Sequence, residues 1–114
     1  MMALQRIILE MGHGNDMHGG DYSKAALRAV QDALHHSSLS FVGSLAVDKT
    51  QLDVEVTIGV QRPEQVDIEK VKNSLPVGNV TAKAVKGGLD VADPETNDLA
   101  VIASAAIAVR IEVA

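Results

Sequence analysis

Glu10-Met-Gly-His-Gly-Asn-Asp-Met-His-Gly-Gly-Asp21 is the stretch whose reading decides the fold. It lies between a short β-branched run and a long amphipathic one, and it holds four glycines (Gly12, Gly14, Gly19, Gly20), two histidines (His13, His18) and two aspartates (Asp16, Asp21). Upstream, Arg6 to Met11 reads as a strand. Downstream, Tyr22, Ala25, Ala26, Ala29, Val30, Ala33 and Leu34 recur at the spacing of one helix face, which predicts a helix from Tyr22 to about His35. Asp21 is placed to cap it, its carboxylate accepting from the free N–H groups of the first turn. The stretch is therefore a strand–loop–helix junction, with more titratable groups than a turn requires.

Further along, Leu39 to Val47 is an apolar segment broken by Gly43-Ser44, expected to be a strand with a bulge. From Gln51 to Val60, Leu52, Val54, Val56, Ile58 and Val60 alternate with Asp53, Glu55 and Thr57, the pattern of a strand with one buried face. These two segments are expected to pair as a hairpin. A second helix follows Arg62-Pro63, capped by Asp67, stapled by Val66 against Val71 and stopped by Pro76. Asn79 to Lys86 alternates again, Gly87-Gly88 bends the chain, Leu89 and Val91 continue it, and Asp93 to Asp98 reads as an exposed loop. Alanine in the run Leu99 to Ala114 favours helix, but Val101, Ile102, Ile107, Val109, Ile111 and Val113 favour strand. Its nearly continuous apolar character points to a central strand, or to one covered by another subunit.

The order β-α-β-β-α-β-β predicts a single α+β domain over residues 1–114, a two-layer sandwich with two helices on one face of a mixed sheet. The other face is left to a partner, so a closed homo-oligomer with sites between subunits is expected. The 114 residues carry 46% hydrophobic and 22% charged residues, an ordinary globular balance. The net charge of −5, the lack of a basic cluster and a total of one Phe, one Tyr and no Trp argue against nucleic-acid binding. The longest apolar run, Leu99 to Val109, is about half a bilayer span, so no membrane partner is expected. The N-terminus lacks the pattern of a signal peptide and the chain has no cysteine, which is compatible with a reducing compartment; a cytoplasmic protein is expected.

Several chemistries fit the glycine-rich stretch. Backbone N–H groups at a glycine turn before a helix form an anion pocket, although Gly12-x-Gly14 with Gly19-Gly20 matches neither phosphate-loop nor dinucleotide spacing. Gly12, His13, Gly14, Asp16, Gly19 and Gly20 are the expected ligand-binding residues. Lys24 stands in the first helical turn, where the macrodipole disfavours a cation, and opposite the apolar stripe. That placement suits a cation that holds an anion, or one paired with Asp21. His18 is the candidate acid/base, oriented by Asp16 or Asp21. A divalent metal, Zn, Mn or Fe, held by His13, Asp16 and His18 is the alternative. His35-His36-Ser37-Ser38 reads as a polar helix end.

Glu10-Met-Gly-x-Gly-x-Asp-x-His-Gly-x-Asp21, Lys24-Ala-Ala, Ala29-Val-x-Asp-Ala33, Val54 to Val60, Gly87 to Val91 and the apolar C-terminal strand together resemble a family of small conserved-hypothetical proteins. The resemblance spans nearly the whole chain and brings no activity with it. The topology resembles the chorismate-mutase-like fold, which implies a trimer with ligands at subunit interfaces. The repeated units of ring-opening amidohydrolases (cyanuric acid hydrolase, barbiturase) have a similar layout, at fold level only. Two functions are therefore expected. One is binding of a small anionic metabolite at the loop between subunits. The other is a hydrolase or lyase acting on a small cyclic amide or carboxylate, with His18 as acid/base, Lys24 as anion holder and Asp21 beside them.

Overall fold

The computed structural model describes residues 3–35, 52–75 and 78–113. The elements are β1 (Ala3–Asp16), α1 (Tyr22–Leu34), β2 (Asp53–Val60), a 3-10 turn (Pro63–Gln65), α2 (Ile68–Asn73), β3 (Asn79–Lys86), β4 (Leu89–Asp93) and β5 (Asp98–Val113). The class is α+β, a mixed sheet with two helices. The sheet runs β1-β5-β2-β3, and β4 also pairs with β5. All contacts with β5 are antiparallel, and β2–β3 is parallel, the two joined through α2. The apolar C-terminal run is thus one 16-residue strand at the centre of the sheet, as its composition implied.

Strand 1 is longer than its sequence suggests. It continues through Gly12 and Gly14 to Asp16, each residue paired with β5. The two glycines therefore belong to a strand and do not form a ligand-cradling loop. The reason is the helix above them. A Cβ on Gly12 would lie 2.5 Å from the Ala33 nitrogen, and one on Gly14 would lie 2.2 Å from the Ala29 nitrogen. Helix α1 rests its backbone directly on β1, using Ala25, Ala29 and Ala33, which are fully buried. The loop proper shrinks to residues 17–21.

The strictly alternating β2 buries Val54, Val56, Ile58 and Val60 against α1, α2 and β5. Asp67 caps α2, its carboxylate accepting the Lys70 N–H, with Val66 and Val71 both buried around it. Leu89 and Val91 do not extend β3 past the Gly87-Gly88 bend; they form β4, which folds back on β5 as a hairpin. The expected strand Leu39 to Val47, and its hairpin with β2, lie outside the described residues. In the molecule's 18 Å short dimension only two layers are stacked. Among the described residues, no element covers the second face of the sheet, and Leu9, Met11, Val85, Leu89 and Val91 are exposed on it.

Substitution Gly14→Ala places a methyl inside the helix backbone, where no side chain can swing away. It is expected to cost about 3 kcal/mol or more in urea unfolding. Gly59→Ala, whose Cβ would meet its nearest neighbour at 3.5 Å, is expected to cost less than about 1 kcal/mol. Equal losses at the two positions would contradict the close-approach role of Gly14.

Candidate functional site

The loop is built by carboxylates that accept backbone N–H groups. Asp16 ends β1 on the helix face with its side chain 5% exposed, and its Oδ2 accepts the Asp21 N–H at 2.9 Å. Asp21 in turn accepts the Lys24 N–H at 3.0 Å, which caps α1. The buried Asp16 charge is compensated by the Lys24 Nζ at 3.6 Å and the Arg28 guanidinium at 3.8 Å, both half-exposed. Arg28 also donates to the Asn15 carbonyl, and Asp32 accepts the His13 N–H, so α1 shields the free edge of β1. Gly19 and Gly20 take positive φ values of 92° and 63°, and the Gly20 N–H reaches the Leu99 carbonyl.

A third carboxylate arrives from the start of β5. Asp98 Oδ1 accepts the Gly19 N–H at 2.8 Å and its own neighbour's Leu99 N–H at 2.9 Å. Its Oδ2 lies 2.8 Å from His18 Nδ1. The Gly19 N–H first, then His18 and the Leu99 N–H, hold the Asp98 carboxyl below its ordinary value of 3.8. An ionised carboxylate can only accept, so Nδ1 carries the hydrogen, and in the neutral imidazole the Nε2 lone pair points away from Asp98. The His18 ring is 87% exposed, which leaves Nε2 available to a visiting molecule.

Beside this pair opens a cavity of about 430 Å³. Met17, Val91 and Ala100 give it apolar walls; His18, Asp93, Thr96 and Asp98 supply the polar groups. Strand alternation puts Val91, Asp93, Asp98 and Ala100 on the uncovered side of the sheet, at one end of its apolar surface. The other side of β4 carries Asp90, which accepts a hydrogen bond from the buried Tyr22 hydroxyl. Burial first, and then Asp90, push the Tyr22 phenol above its ordinary value of 10.0, so it is a neutral donor that ties the start of α1 to β4. The second Asp90 oxygen is buried and has no hydrogen-bond partner among the described residues.

The structure brings His18, Gly19, Gly20, Asp21 and Asp16 into one loop, with Lys24 above Asp16. It separates the rest. Gly12 and Gly14 are under the helix, and the exposed His13 lies on the opposite face of β1 from Asp16. Among the described residues, no three His, Asp or Glu side chains converge to hold a metal, so His13, Asp16 and His18 are not gathered as a ligand set. His18 is oriented by Asp98, not by the expected Asp16 or Asp21. In the sequence Asp93 to Asp98 reads as an exposed loop, and no signal local to it links Asp98 to a histidine 80 positions away. His35 caps the end of α1 through its backbone N–H; residues 36–38 lie outside the described residues.

A family model described as Conserved hypothetical protein (Lin0512_fam) matches residues 6–109. The chain is also similar to a crystal structure of an FtsZ-like protein of unknown function from Nostoc punctiforme, at 38% identity and a TM-score of 0.81, over 99% of this chain and 100% of that one. A comparison with curated proteins finds no match. The chain belongs to the Lin0512 family of conserved hypothetical proteins.

The lowered value at Asp98 sets the sign of a pH effect. A carboxyl whose folded-state value is depressed stabilises the fold above its unfolded value, and that contribution is lost as pH falls through the folded one. The difference in urea midpoint between the wild type and Asp98→Asn is therefore expected to hold steady at about pH 5 and to shrink towards about pH 2. A gap that does not change over this range would show that the charge on Asp98 does not hold the loop.

Proposed function

We propose that this member of the Lin0512 family binds a small molecule in the cavity between the loop and the β4–β5 hairpin, and that His18 exchanges a proton with it. The observation that carries this reading is the His18–Asp98 pair on the cavity wall. A fixed carboxylate sets the tautomer of an exposed imidazole. The cavity volume is also of the size that small ligands occupy. Catalysis is the second reading, supported by the same pair: a hydrolase or lyase on a small cyclic amide or carboxylate would use His18 Nε2 as its acid/base. Lys24, expected as the anion holder, faces Asp16 and does not line the cavity.

The proposal includes a homo-oligomer joined through the uncovered face of the sheet. Leu9 and Met11 on β1, Ile102 and Ala106 on β5, and Leu89 and Val91 on β4 are apolar residues of this face, which also carries His13 and Ser104 between them and Asp53, Glu55, Thr57 and Lys83 on β2 and β3. At about 16 Å² per strand residue, the five strands present roughly 800 Å², the area each partner buries in an interface of standard size. A second copy laid on this surface would stand beside the cavity and supply a further wall. A trimer is the closed form that the resemblance to the chorismate-mutase-like fold would imply.

Two experiments test these readings. In sedimentation, the wild type is expected near three chains of 12.0 kDa, and the double variant Leu9→Lys with Met11→Lys near one. A wild-type monomer would end the oligomer proposal. In an NMR screen of small metabolites against protein labelled at the Met methyls, hits are expected to move Met17 and the His18 ring together, and to lose the effect in Val91→Trp, which fills the cavity. Hits that move other signals only would place binding elsewhere.

A further inference from the structure

The charge pattern of the cavity identifies the class of ligand, given the binding reading above. Among its lining residues are two carboxylates, Asp93 and Asp98, one imidazole and one hydroxyl, and no Lys or Arg. The two cations of α1 next to the loop, Lys24 and Arg28, are drawn to the buried Asp16 on the helix side of β1. The chain as a whole carries −5, so no long-range field favours an anion either.

The partners already made by each lining group narrow the choice further. Asp98 spends Oδ1 on two backbone N–H groups and Oδ2 on His18, so it contributes its charge but little free lone-pair capacity. Among the described residues Asp93 accepts only the Glu95 N–H, through Oδ1, which leaves its Oδ2 for a donor. His18 offers the Nε2 lone pair. Both open positions are acceptors, and both face a space next to negative charge. The apolar walls are unusually bare: Met17 is 58% exposed and Val91 53%. They stand next to these acceptors and can cover a hydrocarbon body.

We infer that the cavity takes a small organic cation, a protonated amine carried on an apolar body, with its N–H groups donating to Asp93 and to His18 Nε2 and its hydrocarbon part lying on Met17 and Val91. This reverses the anionic ligand expected from the glycine-rich sequence. The physical reason is that the loop's N–H groups, which would have held an anion, are consumed by Asp16 and Asp98.

The test compares three probes of one shape on the full chain: cyclohexylamine, cyclohexanol and cyclohexanecarboxylate, at neutral pH and low salt. Chemical shifts of the Met17 methyl and the His18 ring are followed. The amine is expected to bind roughly tenfold more tightly than the carboxylate, because reversing a charge a few ångströms from a carboxylate changes the interaction by at least that factor. Asp93→Asn keeps an acceptor for the Glu95 N–H, and is expected to bring amine binding down to that of the alcohol. Carboxylate binding as tight as the amine would overturn the ligand class while the cavity itself stood. Failure of all three probes to move either signal would overturn the cavity reading together with the class.

Discussion

The structure depends on one contact, the backbone of α1 lying directly on the backbone of β1. At Gly12 and Gly14 a Cβ would meet helix backbone at 2.6 Å or less, and the facing helix positions are Ala25, Ala29 and Ala33. Such an approach needs no large side chain on either side, and this chain has one Phe, one Tyr and no Trp to offer. Dispersion between two close backbones and a sheet of Val and Ile side chains replaces the aromatic anchors of a thicker core. The same contact sets the height and direction of α1, and therefore where the chain must turn between Asp16 and Tyr22.

That turn is held by acidic groups used as backbone acceptors. Asp16, Asp21 and Asp98 each take one or two N–H groups, and only Asp16 is buried enough to need the two cations drawn up to it. Charge-assisted bonds of this kind are stronger than neutral ones and restrict the loop without apolar contacts. The result is a division of roles: most charged groups near the loop hold its shape, while His18 and Asp93 keep open acceptor positions at the cavity.

The strand β4 joins two environments. Through Asp90 it is bound to the buried hydroxyl of Tyr22, the residue that begins α1; through Val91 and Asp93 it forms a wall of the cavity. Since Gly19, Gly20 and His18 are tied to Asp98 and Leu99 at the start of β5, both ends of the loop–helix junction are attached to a single hairpin. The position of the cavity walls is thus linked to the same helix that packs on β1.

Much of this was legible in the sequence where the physics is local. The apolar stripe of α1, the caps at Asp21 and Asp67, the staple of Val66 and Val71 and the alternation of β2 all follow from spacings of one to four residues, and the structure shows each of them. The loop was located, and His18 within it, because titratable groups between a strand and a helix are visible as composition. Only the tertiary structure decided the rest. Gly12 and Gly14 look like loop residues until a helix lies on them, since a glycine required by a close approach has the same letter as one required by a turn. Asp98 became the partner of His18 because the register of β1 on β5 sets the end of one strand beside the start of the other, 80 residues apart. Periodicity records how a segment faces its core; which side chains meet across the sheet is decided by register, and with it the sign of the charge around the cavity.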